Sequence, residues 1–132
     1  MAESIDAAVD ASFVIAFLMP DEKSKKVEDF FIRLRTKKIR VISSRMLSFE
    51  VINSLKTAVL RKRVKPGLAQ KLLQKFLNLN IEEREIDLEG AFDISLDKNL
   101  TFYDASYLYL SLKNKVPLLT LDNKLQRLSR RR

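Results

Sequence analysis

Apolar residues recur along this chain with two different periods, and the switching between them predicts its elements. Residues 5–9 (Ile5, Asp6, Ala7, Ala8, Val9) form a short, mostly apolar run that reads as a buried strand ending at Asp10. Residues 11–18 stay apolar and start a helix, which Met19, Pro20 and Asp21 break. Over 23–36, Val27, Phe30, Phe31 and Leu34 return at helical spacing, the mark of an amphipathic helix. Arg40, Val41 and Ile42 form a second short strand, after which Ser43 and Ser44 supply an N-cap signal for a long helix over about 46–62. The apolar face of that helix is Leu47, Val51, Leu55 and Val59.

Lys65, Pro66 and Gly67 are the clearest turn signal, and the helix predicted after them points Leu68, Leu72, Phe76 and Leu79 inward. Residues 81–86 alternate weakly, as an edge strand does. Leu88, Ala91, Phe92, Ser95 and Leu96 mark another helix, and residues 101–113 the next. Residues 117–121 form a strand ending at Asp122, and a last short helix carries Leu125 and Leu128. Strands alternate with helices and no hairpin signal interrupts them. The expected fold is α/β, with a small, mostly parallel central sheet flanked by helices on both faces, in a single domain over 1–132.

Composition then removes much chemistry. The 132 residues include no cysteine and no histidine, so Cys/His zinc sites, thiol nucleophiles and imidazole acid–base pairs are all excluded. With Gly67 and Gly90 as the only glycines, neither a P-loop nor a GxGxxG fingerprint can be built. Any catalysis must run on carboxylates, hydroxyls, amines or a metal held by oxygen.

The 25 Lys and Arg against 17 Asp and Glu give a net charge of +8, which points to a polyanionic partner, nucleic acid first. Basic residues gather at Arg33, Arg35, Lys37, Lys38 and Arg40, at Arg61, Lys62, Arg63 and Lys65, and at Arg130, Arg131 and Arg132. Arg61 and Arg63 are candidate RNA phosphate contacts, although cations at helix ends also complement the helix dipole. No apolar stretch approaches the roughly 20 residues of a membrane span, and the acidic N-terminus lacks a signal-peptide pattern. A cytoplasmic protein without a membrane partner is expected.

Four acids carry the candidate chemistry. Asp10 and Asp122 each follow an apolar strand and begin a helix, and in an open parallel sheet such junctions gather at the carboxyl edge, where ligands bind. Glu50 sits in the first turn of the long helix, on a polar stripe with Asn53, Ser54, Thr57 and Arg61. Asp104 stands three residues after Thr101, as in a capping box, and heads a stripe with Tyr107 and Ser111. Each acid taken singly also has a plain structural role, as an N-cap, a dipole partner or a solvated charge. Together they form a set of hard oxygen ligands suited to Mg²⁺ or Mn²⁺, and a basic surface beside such a set is suited to hydrolysing nucleic acid.

The order and context of these acids resemble the PIN-domain ribonucleases, most closely the VapC-type toxins of toxin–antitoxin pairs. The matching segments are Val9-Asp10-Ala11-Ser12, Ser48-Phe49-Glu50-Val51-Ile52-Asn53-Ser54-Leu55, Leu100-Thr101-Phe102-Tyr103-Asp104-Ala105-Ser106-Tyr107 and Leu118-Leu119-Thr120-Leu121-Asp122. The resemblance implies a PIN-like fold and metal-dependent endonucleolytic cleavage of RNA by an activated water, leaving a 5′-phosphate and a 3′-hydroxyl. It implies Asp10, Glu50, Asp104 and Asp122 as catalytic, metal-binding acids, with Ser12, Asn53 and Thr120 in support. It further implies a cognate antitoxin as partner, and it allows a homodimer without fixing one. Phe30, Phe31 and Ile52 are candidates for a partner groove or dimer surface, with ordinary core as the alternative. The rival readings are a PIN-type nuclease of RNA maturation or decay, and a non-catalytic PIN-like module that binds RNA or protein.

Overall fold

The computed structural model describes residues 4–22 and 24–130. In chain order its elements are β1 (Ala7–Val9), α1 (Ala11–Leu18), α2 (Lys25–Arg35), β2 (Val41–Ser44), α3 (Leu47–Leu60) and α4 (Pro66–Asn78), followed by β3 (Glu82–Arg84), α5 (Leu88–Lys98), α6 (Phe102–Asn114), β4 (Leu118–Leu119) and α7 (Asn123–Arg130). Lys23, where the second predicted helix begins, and Arg131 and Arg132 of the terminal basic cluster lie outside the described residues.

The strands form one sheet in the order β3-β2-β1-β4, every pair parallel. Successive residues of a strand point to opposite faces, and Ala7, Ala8 and Val9 of β1 are all buried, as are all four residues of β2. Both faces of the sheet are therefore covered, as parallel sheets require. On one face α6 packs across β1, β2 and β4. β3 lies at the sheet edge and is largely exposed, which explains its weak alternation.

An aromatic cluster seats the first two helices. Phe31 stacks on Phe17 at 4.2 Å between ring centroids, and Phe13 meets Phe30 edge-on at 5.3 Å. Phe31 is fully buried and Phe30 packs against the same core, so neither forms an open groove, whereas Ile52 is exposed. On α5, Ala91 and Ser95 are buried while Leu88, Phe92 and Leu96 face outward.

Three local expectations change. Ser43 and Ser44 end strand β2, and the N-cap of α3 is Met46, whose own side chain makes no capping bond but whose amide is accepted by Ser44 Oγ at 3.0 Å. Their hydroxyls serve the sheet and its cover: Ser43 donates to the Val9 carbonyl at 2.6 Å, and Ser44 accepts from Ser106 at 2.9 Å. The chain reverses before Pro66, at Lys62 with φ 59°, and Pro66 and Gly67 already belong to the first turn of α4. Leu68, on that first turn, is exposed, while Leu72, Phe76 and Leu79 point inward as predicted.

Candidate active site

The strand order reverses between β1 and β4, since the chain steps outward through β2 and β3 and then returns to the other side of β1. At such a switch point the two following segments diverge and leave a crevice beyond the carboxyl ends of the strands. Asp10 and Asp122 flank it. Asp10 ends β1 and N-caps α1, its Oδ1 accepting the Phe13 amide at 3.1 Å. The Asp122 Oδ1 accepts the Leu125 amide at 2.9 Å at the start of α7.

A hydroxyl network ties these two strand ends together. Ser12 donates to Asp10 Oδ1 at 2.7 Å and accepts the Leu121 amide at 3.0 Å. Thr120 donates to Asp10 Oδ2 at 2.5 Å and accepts the Asp122 amide at 3.0 Å. Both Asp10 oxygens are thus fixed, and the side chain is 3% exposed. Glu50 enters from the first turn of α3, where the Tyr107 hydroxyl of α6 donates to its Oε1 at 2.5 Å. Asp104 enters from the first turn of α6, capped by Thr101, which accepts the Asp104 amide at 3.1 Å.

Asp10, Glu50, Asp104 and Asp122 all line one cavity of about 230 Å³, together with Ser12, Ser54 and Tyr107. Among the described residues no lysine or arginine lines it. Burial and mutual repulsion work in the same direction there. Burial raises the Asp10 pKa above the ordinary carboxylate value against the hydrogen bonds from Thr120, Ser12 and the Phe13 amide, and the charge of Asp104 adds to the rise. Glu50 is raised chiefly by burial, against the Tyr107 bond, with Asp104 and Asp10 adding to it. Asp104 is raised by burial and then by the charge of Asp122. Tyr107 is held far above its ordinary range, by burial first and then by Glu50, so it stays a proton donor to that carboxylate.

Asp10, Glu50, Asp104 and Asp122 are the oxygen donors that could hold a hard divalent ion here. Among the described residues no three acids close tightly enough to grip an ion directly.

The model of the PIN domain matches residues 7–131. The chain belongs to the PIN domain family. This PIN domain is 30% identical over 121 residues to Ribonuclease VapC3 from Pyrobaculum aerophilum, a match that covers 89% of each chain. Its fold is similar to the crystal structure of PAE2754 from Pyrobaculum aerophilum, with a TM-score of 0.75 and 23% identity, over 94% of this chain and 79% of the other.

Of the supporting residues expected from sequence, Ser12 and Thr120 bond to Asp10 directly. Asn53 does not line the cavity; it is exposed on α3, and Ser54, one position on, takes the place beside Glu50. Ser54 and Tyr107 were both visible in the polar stripes that carry Glu50 and Asp104, each about one turn after its acid. Arg61 and Arg63 line an adjoining groove, not the cavity itself. Arg63 is engaged within the fold, with its Nη2 at 2.9 Å from Asp21 and 2.7 Å from Glu22.

Proposed function

We propose that this PIN-domain protein is a divalent-metal-dependent endoribonuclease, the toxin of a toxin–antitoxin pair that acts in the cytoplasm and is restrained by a cognate antitoxin. The observation that carries the reading is the convergence of Asp10, Glu50, Asp104 and Asp122, from four separated segments, on one cavity that no basic side chain lines among the described residues. The similarity to a protein named Ribonuclease VapC3 supports RNA as substrate and the toxin role. The net charge of +8 supports a polyanionic substrate that an acidic cavity alone would repel.

In this reading the four acids would hold Mg²⁺ or Mn²⁺ through some of its waters. When bound, the ion supplies neutralisation of phosphate charge and a more acidic attacking water. The chain supplies position. Ser12 and Thr120 fix both oxygens of Asp10, and Tyr107 fixes one oxygen of Glu50, so neither carboxylate has to reorganise as charge develops.

The test is cleavage of a mixed RNA pool with Mg²⁺ or Mn²⁺, comparing wild type with Asp10→Asn. Cutting that requires the metal and disappears in the variant is the expected outcome. A folded wild-type protein that binds RNA and never cuts it overturns the nuclease in favour of a binding module.

A further inference from the structure

A second groove, of about 220 Å³, adjoins the acidic cavity and shares two of its walls, Ile15 of α1 and Ser54 of α3. It runs along α3 past Thr57 to Arg61, the residue that caps the C-terminus of that helix. Glu50, Ser54, Thr57 and Arg61 fall on one stripe at helical spacing, so the cavity and the groove together follow α3 for about 16 Å at the rise of an α-helix.

Of its four polar side chains only Arg63 is committed among the described residues, to Asp21 and Glu22. The half-buried hydroxyls of Ser54 and Thr57 make no side-chain hydrogen bond among the described residues, and Arg61 has no acidic partner there. The contrast with nearby groups is specific: Ser12, which lines the cavity, and Thr120 and Thr101, which bond to its acids, are all bonded, and Arg63 beside Arg61 is held by Asp21 and Glu22. An acidic cavity therefore opens into a channel offering two free hydroxyls and then one free guanidinium.

We propose that this groove is the subsite for the nucleotide beside the cleaved bond, with Ser54 and Thr57 reading the ribose 2′-hydroxyl and Arg61 holding the next phosphate. The assignment rests on the nuclease reading above. A 2′-hydroxyl both donates and accepts, and so pairs with a side-chain hydroxyl, while deoxyribose leaves that partner unmet. Arg61 is a binding residue here and touches none of the reacting atoms.

The test is the Kd of a short single-stranded RNA, with Ca²⁺ in place of the catalytic metal so that the carboxylates are neutralised without cutting, against strands carrying one deoxyribose stepped across the cleavage position. In the wild type, a deoxyribose at one position beside the cut weakens binding about tenfold, and elsewhere it has little effect. The Ser54→Ala, Thr57→Val double variant binds both strands alike. Arg61→Gln weakens both equally and lowers the slope of log Kd against log salt by about 0.7, whereas Lys98→Gln on α5 leaves that slope nearly unchanged.

Loss of ribose preference at every position, or an Arg61→Gln variant indistinguishable from Lys98→Gln, overturns the subsite. If such a protein still cuts RNA once the catalytic metal is restored, the nuclease reading stands without it. If the expected binding pattern appears and no cutting follows, the groove reads ribose in a bound RNA, and both the nuclease reading and the place of the groove beside a cleaved bond fall. A protein that neither binds nor cuts RNA removes both.

Discussion

Asp10 does two things with one side chain. It caps α1 through the Phe13 amide, and it presents a nearly buried carboxylate to the cavity. The two roles separate by substitution. Asparagine caps as well as aspartate, and the hydroxyls of Ser12 and Thr120 can turn to meet an amide, so Asp10→Asn keeps the structure and loses the charge. Because burial raises its pKa, folded Asp10 takes up a proton at higher pH than the unfolded chain does. Its ionised form therefore costs stability above the raised pKa, and that cost vanishes as pH falls below the ordinary aspartate value of 3.8. In chelator near neutral pH, Asp10→Asn is expected to be at least as stable as wild type, with urea midpoints converging toward acid. Asp10→Ala loses the cap as well, and is expected to cost about 1–2 kcal/mol in the same titration. Tyr107→Phe tests the orientation of Glu50: cleavage should slow about tenfold with RNA affinity unchanged, because the lost bond restrains Glu50 and touches no substrate.

At the scale of elements, helices were legible from local pattern and strands only in outline. The 3.6-residue period of Val27, Phe31 and Leu34 identified α2, and that of Leu47, Val51 and Leu55 identified α3. A strand of two to four residues is too short to show a period of its own, and β4 spans only Leu118–Leu119. Ser43 and Ser44 match a helix N-cap in composition, yet pairing with β3 drew them into β2; Ser44 still accepts the Met46 amide at the start of α3, while the two hydroxyls also bond to Val9 and Ser106. The aromatic cluster of Phe13, Phe17, Phe30 and Phe31 joins α1 to α2 and so supports the helix that Asp10 caps. Phe31→Ala empties its fully buried centre and is expected to cost about 3–5 kcal/mol in chemical denaturation.

For the molecule as a whole, charge is distributed unevenly. A chain of net charge +8 keeps an acidic cavity at the carboxyl edge of its sheet, and several of its arginines are spent internally, as in Arg40 with Glu82 and Arg45 with Glu85. Such exposed pairs contribute about 0–1 kcal/mol each, so they tune the surface field more than they hold the fold. The four acids crowd one cavity, and a bound divalent cation would relieve both their burial as bare charges and their repulsion. Mg²⁺ or Mn²⁺ is therefore expected to raise the Tm of the wild type by linkage, equivalent to about 2.7 kcal/mol at a hundred times Kd. The Asp10→Asn, Asp104→Asn double variant should respond weakly or not at all in the same thermal scan.

The sequence by itself determined the alternation of strands and helices, the positions of the four acids at helix starts, and the exclusion of imidazole and thiol chemistry. These depend on residue type and on neighbours within a turn or two, which a linear pattern records. Tertiary structure alone decided that β4 lies beside β1, which brings Thr120 and Asp122 to Asp10 across more than a hundred residues. It also turned Ser54 and not Asn53 toward the cavity, set Tyr107 against Glu50, and tied Arg63 to Asp21 and Glu22 while leaving Arg61 open. Strand order and helix rotation are fixed by the packing of distant surfaces against each other, and no local period in the chain encodes that choice.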